Sequence, residues 1–332
     1  KNVDVSGSVV YRYNDYKNNS NVGDQSKDVT NNNYKVALGL ASKVNDDLKF
    51  NSRFLVASST GDFGTLATAD GGDENFDVTL SHANFGYTGI KNTTVTVGKQ
   101  GLTTPWTVAL DSDGNEQTGT GILALSTVGP VTLAGAYFNQ TNLGTSGNGL
   151  PKTVPTFDGT NQAAIDTANT TNNATGSSDI ATVGAIATFE PVTVDAWYLN
   201  MKDTFDTYTV GAKSALDLSG VKVGIDARYA GLSFDNAVAQ ALVGVISTNG
   251  IVEDKNDMAK LVLTADAGLI DGKIAYAMTG KEGGLTALDN DASTTLLGWT
   301  LTSNGKADAD YWQAVLGFDI LSNLNLSANY GN

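Results

Sequence analysis

The chain has 332 residues, of which 41% are hydrophobic and only 17% are charged. No stretch approaches the roughly 18 consecutive apolar residues of a membrane-spanning helix, so a helical membrane protein is excluded. The formal net charge of −15 argues against a nucleic-acid partner, whose phosphates require a basic surface, and the absence of cysteine excludes disulfides and thiolate metal sites.

Short segments with a period of two follow one another along the whole chain. In the first of them, residues 3–13, valines and tyrosines at odd positions alternate with mostly polar residues, which indicates a strand with one apolar face. Glycine is frequent (37) and proline rare (5), and Asn, Asp, Gly and Ser cluster between the segments, as in strands joined by turns. The pattern predicts about fifteen strands, at residues 3–13, 34–41, 48–56, 76–87, 93–100, 122–126, 131–140, 180–189, 192–199, 207–214, 221–229, 258–266, 273–279, 311–320 and 324–330.

The connections between these strands alternate in length. Short ones, such as 44–47 and 128–130, alternate with long polar ones, such as 58–75 and 141–178. Outer-membrane barrels have this organisation, with short periplasmic turns and longer extracellular loops. Aromatic residues also lie at or near the predicted strand ends, where two interfacial girdles would lie: Tyr11, Tyr13, Tyr34, Phe50, Phe54, Phe85, Tyr87, Tyr137, Phe189, Tyr198, Tyr229, Tyr276 and Tyr330.

These patterns predict an all-β fold, a transmembrane antiparallel β-barrel in which residues 1–332 form a single domain. Bacterial barrels are closed and even-stranded, because an open edge in lipid would leave backbone groups unsatisfied. We therefore expect 16–18 strands in the complete barrel, with 18 favoured, and expect this chain to lack at least one C-terminal strand. Because Lys1 is not followed by a charged and then apolar leader, we expect a mature or trimmed product of an exported protein. The alternative is a surface-exposed adhesin or S-layer-like β protein with no channel.

One hairpin and the loop after it organise this interpretation. The strand at residues 93–100 ends in Gly98-Lys99-Gln100, and a loop with Trp106 follows at about residues 101–121. This order resembles the segment of bacterial porins in which a strand feeds the loop that folds inward and narrows the pore.

The resemblance extends over the chain. The start VDVSG…YRY at residues 3–13, the GKQ with its Trp-containing loop, and the Gly-Thr-Gly at residues 119–121 resemble the major outer membrane porins of Campylobacter and related epsilonproteobacteria. The resemblance implies a trimeric, eighteen-stranded, cation-selective porin of a Gram-negative outer membrane, with a calcium site near the constriction. That family ends in a strand with a C-terminal aromatic residue, which this chain does not have.

The electrostatic site of a porin lies on its inner wall and inward loop. Alternation places Arg12, Lys35, Arg53, His82, Lys222, Asp226 and Arg228 on the polar, lumen-facing side. We expect the loop with Trp106 to present Asp111, Asp113 and Glu116 to them across a gap of about 8 Å, one Debye length, and so to create a transverse field. The alternative is that these charges are solvated surface residues, and for His82 a polar wall residue is favoured over a metal ligand.

The run Asp111-Ser112-Asp113-Gly114-Asn115-Glu116 combines carboxylate and amide oxygens with a glycine, as calcium loops do. It departs from the EF-hand spacing, so a solvated polar turn remains the alternative. With the resemblance taken into account, we expect Ca²⁺ at Asp111, Asp113 and Asn115. No G-x-S-x-G or phosphate-binding motif is present in a suitable context, and we expect no enzymatic activity.

We therefore predict an outer-membrane porin that passes small hydrophilic solutes and ions by passive diffusion and prefers cations. The expected partners are the lipid bilayer and lipopolysaccharide, two further copies of the chain in a homotrimer, and the permeating solutes and cations. A solute-specific channel of the same architecture is the alternative within this class.

Overall fold

The computed structural model describes residues 3–16, 29–58, 62–66, 77–144, 146, 178–235, 254–296 and 302–332. No helix in these residues is long and apolar enough to cross a membrane. Sixteen β-strands lie within them: β1 (Val3–Tyr16), β2 (Val29–Lys43), β3 (Leu48–Ala57), β4 (Gly64–Thr65), β5 (Asp77–Tyr87), β6 (Thr93–Gly101), β7 (Thr118–Val128), β8 (Val131–Thr141), β9 (Ile180–Phe189), β10 (Val192–Met201), β11 (Phe205–Leu218), β12 (Val221–Phe234), β13 (Lys255–Asp266), β14 (Ile270–Thr279), β15 (Asp310–Leu321) and β16 (Leu324–Gly331).

All the strands belong to one antiparallel sheet whose order follows the chain. It runs from β1 through β3, continues with β5, and ends at β16, while the two-residue β4 pairs with β2 outside this path. The fifteen longer strands confirm the all-β prediction. Among the described residues β1 and β16 are the free edges of the sheet, so these residues do not close a barrel alone, as expected. The expected 16–18 strands, with 18 favoured, stay a prediction.

The structure extends several predicted strands into regions assigned to loops. β1 and β2 pair without interruption from Val3↔Ser42 to Tyr16↔Val29, although the polar residues 14–16 and 29–33 were expected to lie in the loop. β14 already begins at Ile270, inside the predicted turn at residues 268–272. In both cases the neighbouring strand provides hydrogen-bond partners for the backbone. This pairing outweighs the low strand propensity of Asn, Asp and Gly.

The outer face of the sheet is apolar. Val5, Val9, Tyr137 and Ile274 are among many large hydrophobic residues that are exposed there, and Val9 is 78% exposed. Outward-facing aromatics also meet near strand ends, as in the Trp312–Tyr330 pair with ring centroids 5.1 Å apart. A sheet with an apolar outer face and aromatic residues at its margins is suited to lipid.

An irregularity in β5 turns His82 to the inner face. The register of β3 and β5 shifts between Arg53 and Phe54, so that Arg53 pairs with His82 and Phe54 pairs with Leu80. Ser81 is the extra residue of this β-bulge, which reverses the facing of the residues after it. Without the bulge Leu80 and His82 would share a face.

A buried apolar cluster lies on the inner side of the sheet. It is located at the end of the sheet where the long loops connect the strands. It joins wall residues such as Phe138, Leu199 and Phe205 to loop residues such as Trp106 and Leu288, all of them nearly inaccessible to solvent. This cluster fixes the position of two loops inside the sheet, and those loops carry the candidate site.

Candidate functional site

The loop between β6 and β7, residues 102–117, lies on the inner side of the sheet and is called the first inward loop. Its two ends are joined by a hydrogen bond from Leu102 N to the Gln117 carbonyl, at 2.8 Å. The buried Gln117 side chain also accepts a hydrogen bond from Val108 N at 2.9 Å. The loop is therefore a closed unit with an internally bonded base. It is shorter than the predicted segment, because residues 118–121 already belong to β7.

Trp106 anchors this loop. Its side chain is completely buried in the apolar cluster, together with Leu102 of the same loop and Leu143 beyond β8. Burial of an indole of this size contributes strongly to holding the loop in place. Trp106 was predicted as part of the acidic loop that faces the pore, but its position assigns it to packing.

The tip of the first inward loop is a tight turn organised by Asp111. The Asp111 carboxylate accepts hydrogen bonds from Asn115 N at 2.7 Å and from Asn115 Nδ2 at 2.9 Å. Gly114 has a φ of 86°, in the left-handed region, and its N–H donates to the Asp111 carbonyl at 3.1 Å. A side chain at this position would be strained, which explains the glycine within the acidic run.

The tip rests directly on the basic inner wall of β1–β3. Arg12 Nη2 donates to the Asp113 carbonyl at 2.7 Å, and Lys35 Nζ donates to the Gly114 carbonyl at 2.5 Å. The two cations also flank the ring of Phe63, with Arg12 3.9 Å from its centroid and Lys35 5.6 Å from it. Arg12 and Lys35 therefore hold the tip by its backbone.

Glu116 forms a direct charge pair between this loop and the wall. Its Oε1 accepts a hydrogen bond from Arg53 Nε and lies 2.8 Å from Arg53 Nη2. His82 Nδ1 lies 3.9 Å from Glu116 Oε2 and 2.8 Å from Ser81 Oγ. The expected gap of about 8 Å between loop carboxylates and wall cations is thus absent here, because the loop crosses the lumen until it touches the wall.

A second loop, which sequence analysis did not single out, also folds inward. It connects β14 to β15 and is described at residues 280–296 and 302–309; we call it the second inward loop. Leu288 N donates to the Trp106 carbonyl at 2.9 Å, and Ser293 Oγ donates to the Pro105 carbonyl at 3.0 Å. The Gln117 side chain in turn donates to the Leu288 carbonyl at 3.0 Å. The two loops therefore form one packed body.

Three carboxylates meet where the loops join. Ligand oxygens of Asp111, Asp289 and Asp291 all lie within 4.8 Å of one another. Asp291 Oδ2 also accepts hydrogen bonds from the Ser112 N–H and hydroxyl, both at 2.7 Å. We call these three residues the acidic junction.

Asp289 is the most unusual member of the acidic junction. It is 1% exposed, one carboxylate oxygen accepts from Asp291 N at 2.7 Å, and the other, Oδ2, has no hydrogen-bond partner. Burial, reinforced by the negative charges of Asp111, Asp291 and Asp113, raises the pKa of Asp289 to about 7. An oxygen buried without a partner costs free energy unless a proton or a cation is bound there.

This arrangement differs from the predicted metal-ligand set. Asp113 is not part of the carboxylate group, and Arg12 binds its carbonyl. Asn115 directs its amide nitrogen to Asp111. Of the predicted ligands only Asp111 lies in the acidic junction, whose other members come from a loop about 180 residues later in the chain.

A second group of charges lies on the inner face of β10–β13. Arg228 forms a two-pronged pair with Asp195, with Nη1–Oδ2 at 3.0 Å and Nη2–Oδ1 at 2.7 Å, and donates to Thr209 Oγ1 at 3.1 Å. Lys213 Nζ lies 3.1 Å from Asp226 Oδ2. Lys260 Nζ donates to the Thr295 carbonyl at 3.1 Å and so holds the second inward loop. We call this group the paired wall.

Comparison with known proteins decides the family. The profile of the Campylobacter major outer membrane protein matches residues 1–332, the whole chain. This chain belongs to that family. It is a porin and an integral protein of the outer membrane. A separate comparison with curated protein sequences found no match.

Solved structures of other outer-membrane porins share the fold of this Campylobacter-type porin. Pseudomonas aeruginosa OpdK, crystallised with vanillate, has 14% identity and a TM-score of 0.70 over 99% of this chain and 81% of that chain. Pseudomonas aeruginosa OccK9 (OpdG) has 16% identity and a TM-score of 0.70, covering 99% and 82%. Acinetobacter baumannii OccAB3 has 12% identity and a TM-score of 0.69, with the same coverage. At these identities the likeness shows the fold alone.

The porin structure divides the predicted wall residues between two places. Arg12, Lys35, Arg53 and His82 gather around the tip of the first inward loop. Asp226 and Arg228 lie in the paired wall. Lys222 has the same facing as Arg228 but is exposed at the start of β12, opposite Asp217 and Asp266.

Sequence reasoning missed Asp289, Asp291 and the partners Asp195 and Lys213. Two signals were present in the sequence. Asp195 occupies an inward position in the regular alternation of β10, and the run LDND at residues 288–291 places acidic and amide residues after a buried leucine. Neither signal predicts which residues Asp195, Asp289 and Asp291 contact in the folded protein.

Proposed function

We propose that this porin conducts small hydrophilic solutes and ions by passive diffusion, that the two inward loops narrow its pore, and that it prefers cations. One observation carries the preference. Around the meeting point of the loops lie the carboxylates of Asp111, Asp113, Glu116 and Asp291, with Asp289, whose pKa is about 7, as a fifth, and three basic side chains, of Arg12, Lys35 and Arg53.

The hydrogen bonds support the same conclusion. Arg12 and Lys35 reach from the wall and donate to backbone carbonyls of the loop tip. The carboxylates of the acidic junction lie together where Ser112 and Asp291 connect the two loops. A pore edge with excess negative charge raises the local concentration of cations.

The test is the reversal potential of the reconstituted protein in planar bilayers under a KCl gradient. We expect the wild type to give a reversal potential with the sign of K⁺ selectivity. In Asp111→Asn and in Asp291→Asn the reversal potential should shift in the direction of Cl⁻ selectivity. Asp46→Asn is the matched control, since Asp46 is an exposed acid in the turn between β2 and β3. An equal shift in all three variants would show that overall charge, rather than the loop site, sets the preference.

We also propose that the acidic junction binds Ca²⁺. Carboxylate oxygens are the ligands that Ca²⁺ prefers, and since its Ca–O bonds are about 2.3–2.6 Å long, ligands of one ion lie within about 5 Å of one another. Asp111, Asp289 and Asp291 meet that limit, and the unpartnered Asp289 Oδ2 supplies an open ligand. A bound ion would offset the repulsion of the three carboxylates and link the two loops.

Calcium binding is tested by isothermal titration of the chelator-treated protein in detergent. The wild type should bind Ca²⁺ and gain thermal stability, and Asp289→Asn should lose both effects. Asp113→Asn, which alters a predicted ligand that lies outside the acidic junction, should retain both. Loss of Ca²⁺ binding in Asp113→Asn but not in Asp289→Asn would instead support the ligand set predicted from the sequence, which includes Asp113.

We further propose that the porin is a homotrimer in contact with lipid and lipopolysaccharide. The support is the broad apolar outer face, with exposed residues such as Val5, Val9 and Ile274, which requires an apolar covering from acyl chains or neighbouring subunits. Mass measurement in detergent by light scattering should give three chains per particle.

A further inference from the structure

A cavity of about 570 Å³ lies on the inner face of the sheet, apart from the acidic junction. It is bounded by the end of β6 at Gly101, by the start of the first inward loop at residues 102–105, and by the inner faces of β7–β12. Its volume falls within the range of about 300–1,000 Å³ that holds small organic molecules. Asp111, Asp289 and Asp291 do not line it.

Most of the surface of this cavity is apolar, which is unusual inside a porin. Leu123, Leu125, Ile186 and Trp197 line it, whereas the lumen of a water-filled barrel is normally polar. Leu125 is 39% exposed although it faces the inner side. An apolar solute passing here would remove this surface from water, and that favours contact.

The accessible charge in the cavity is positive. Arg228 and Asp195 also line it, but they are bound to each other and their side chains are only 4% and 12% exposed. The Lys213 side chain is 54% exposed, and its pairing with Asp226 at 3.1 Å is the kind of solvent-accessible pair that contributes little. A competing anion can therefore reach Lys213 Nζ.

From this geometry we propose that the cavity is a binding subsite for small organic monocarboxylates with an apolar or aromatic body. The carboxylate binds Lys213, and the body lies against Leu123, Leu125 and Trp197. The inference rests on the proposed channel function, since it names a solute class for the same lumen. Cations and such carboxylates use different parts of the lumen, because the cavity lies on the side of the paired wall and not at the acidic junction.

The test uses single-channel recording with benzoate as the probe. Conductance in KCl is measured first for each protein, and benzoate, benzamide or acetate is then added at equal concentration. We expect benzoate to interrupt the current at least about fivefold more often than benzamide, which lacks the charge, or acetate, which lacks the ring. Lys213→Gln should lower the benzoate response about fivefold, and Trp197→Ala should bring it towards the acetate level.

Lys43→Gln is the control, because Lys43 is an equally accessible lysine paired with an aspartate, at 2.7 Å, outside this cavity. It should leave the benzoate response unchanged. The proposal is overturned if benzamide acts as strongly as benzoate, if Lys213→Gln behaves as the wild type, or if Lys43→Gln has the same effect as Lys213→Gln. A protein without conductance in KCl overturns the channel function as well, whereas conductance without any response to benzoate overturns the subsite alone.

Discussion

The inner walls at β1–β3 and at β10–β13 both carry charged residues, but they use them differently. On β1–β3 the cations Arg12, Lys35 and Arg53 reach out of the wall and hold the first inward loop. On β10–β13 the charges are largely matched within the wall, as in the buried pair of Arg228 and Asp195. The same residue types on the same face therefore mainly hold a loop in one place and mainly pair with one another in the other, where Lys260 also donates to the second inward loop.

The difference follows from what each wall faces. The tip of the first inward loop offers backbone carbonyls to β1–β3, and Arg12 and Lys35 donate to them. At β10–β13 the apolar cluster and the second inward loop limit access to water, and an unpaired charge would be costly. The guanidinium of Arg228 is accordingly paired across Gly211 with Asp195.

The largest expected effect comes from removing one partner of the buried pair. Asp195→Ala should lower the free energy of unfolding by about 3 kcal/mol, because Arg228 is left buried without a counter-charge. Arg12→Met on the other wall should cost only about 1 kcal/mol, since the hydrogen bond to the Asp113 carbonyl and the contact with the Phe63 ring both belong to a partly exposed charge. Urea unfolding in phospholipid vesicles measures both.

The double variant Asp195→Ala/Arg228→Met serves as the control for this difference. It removes both charges together and should lose less stability than Asp195→Ala alone. Equal losses at the two walls would contradict the distinction between a wall that holds a loop and a wall that pairs with itself.

A smaller effect is expected from Gly211→Ala, which tests the geometry of the paired wall without removing a charge. Gly211 lies in register between Asp195 and Arg228, and a Cβ there would overlap the guanidinium and lie 2.7 Å from Asp195 Oδ1. We expect a loss of about 2 kcal/mol in the same unfolding assay. Gly135→Ala, where a Cβ meets nothing within 4 Å, should be close to neutral.

The stability of the loop body should depend on pH, and this dependence is measured with a chelator present. Burial raises the pKa of Asp289 from 3.8 to about 7, so the folded protein binds this proton more tightly than the unfolded chain does. Its contribution to stability is therefore complete below 3.8 and is lost as the pH rises to about 7. Stability of Asp289→Asn should vary less over that range, and an identical pH profile would refute the assignment.

The smallest effect belongs to Lys43→Gln. Lys43 and Asp46 form a 2.7 Å pair, but their side chains are 65% and 96% exposed. Such pairs contribute little in water, and we expect a change within about 0.5 kcal/mol. A larger loss would mean that accessible pairs matter as much as the buried one, and the contrast between the two walls would be reduced.

Much of this protein is determined by its sequence alone. A period of two and the distribution of turn residues predicted the fifteen longer strands, because both follow from local backbone geometry. Alternation also placed Arg12, Lys35, Arg53 and Arg228 on the inner face, since in a regular strand facing depends only on position. The hairpin with Gly98-Lys99-Gln100 carried the resemblance to the family.

The tertiary structure decided how those residues are used. Ser112 meets Asp291, Gln117 meets Leu288 and Ser293 meets Pro105, each across more than 170 positions in the chain. No periodicity encodes such contacts, because they depend on where two loops pack inside a curved sheet. For the same reason only the folded chain shows that Trp106 is an anchor, that Asp289 joins Asp111, and that the basic wall touches the loop it was expected to face across a gap.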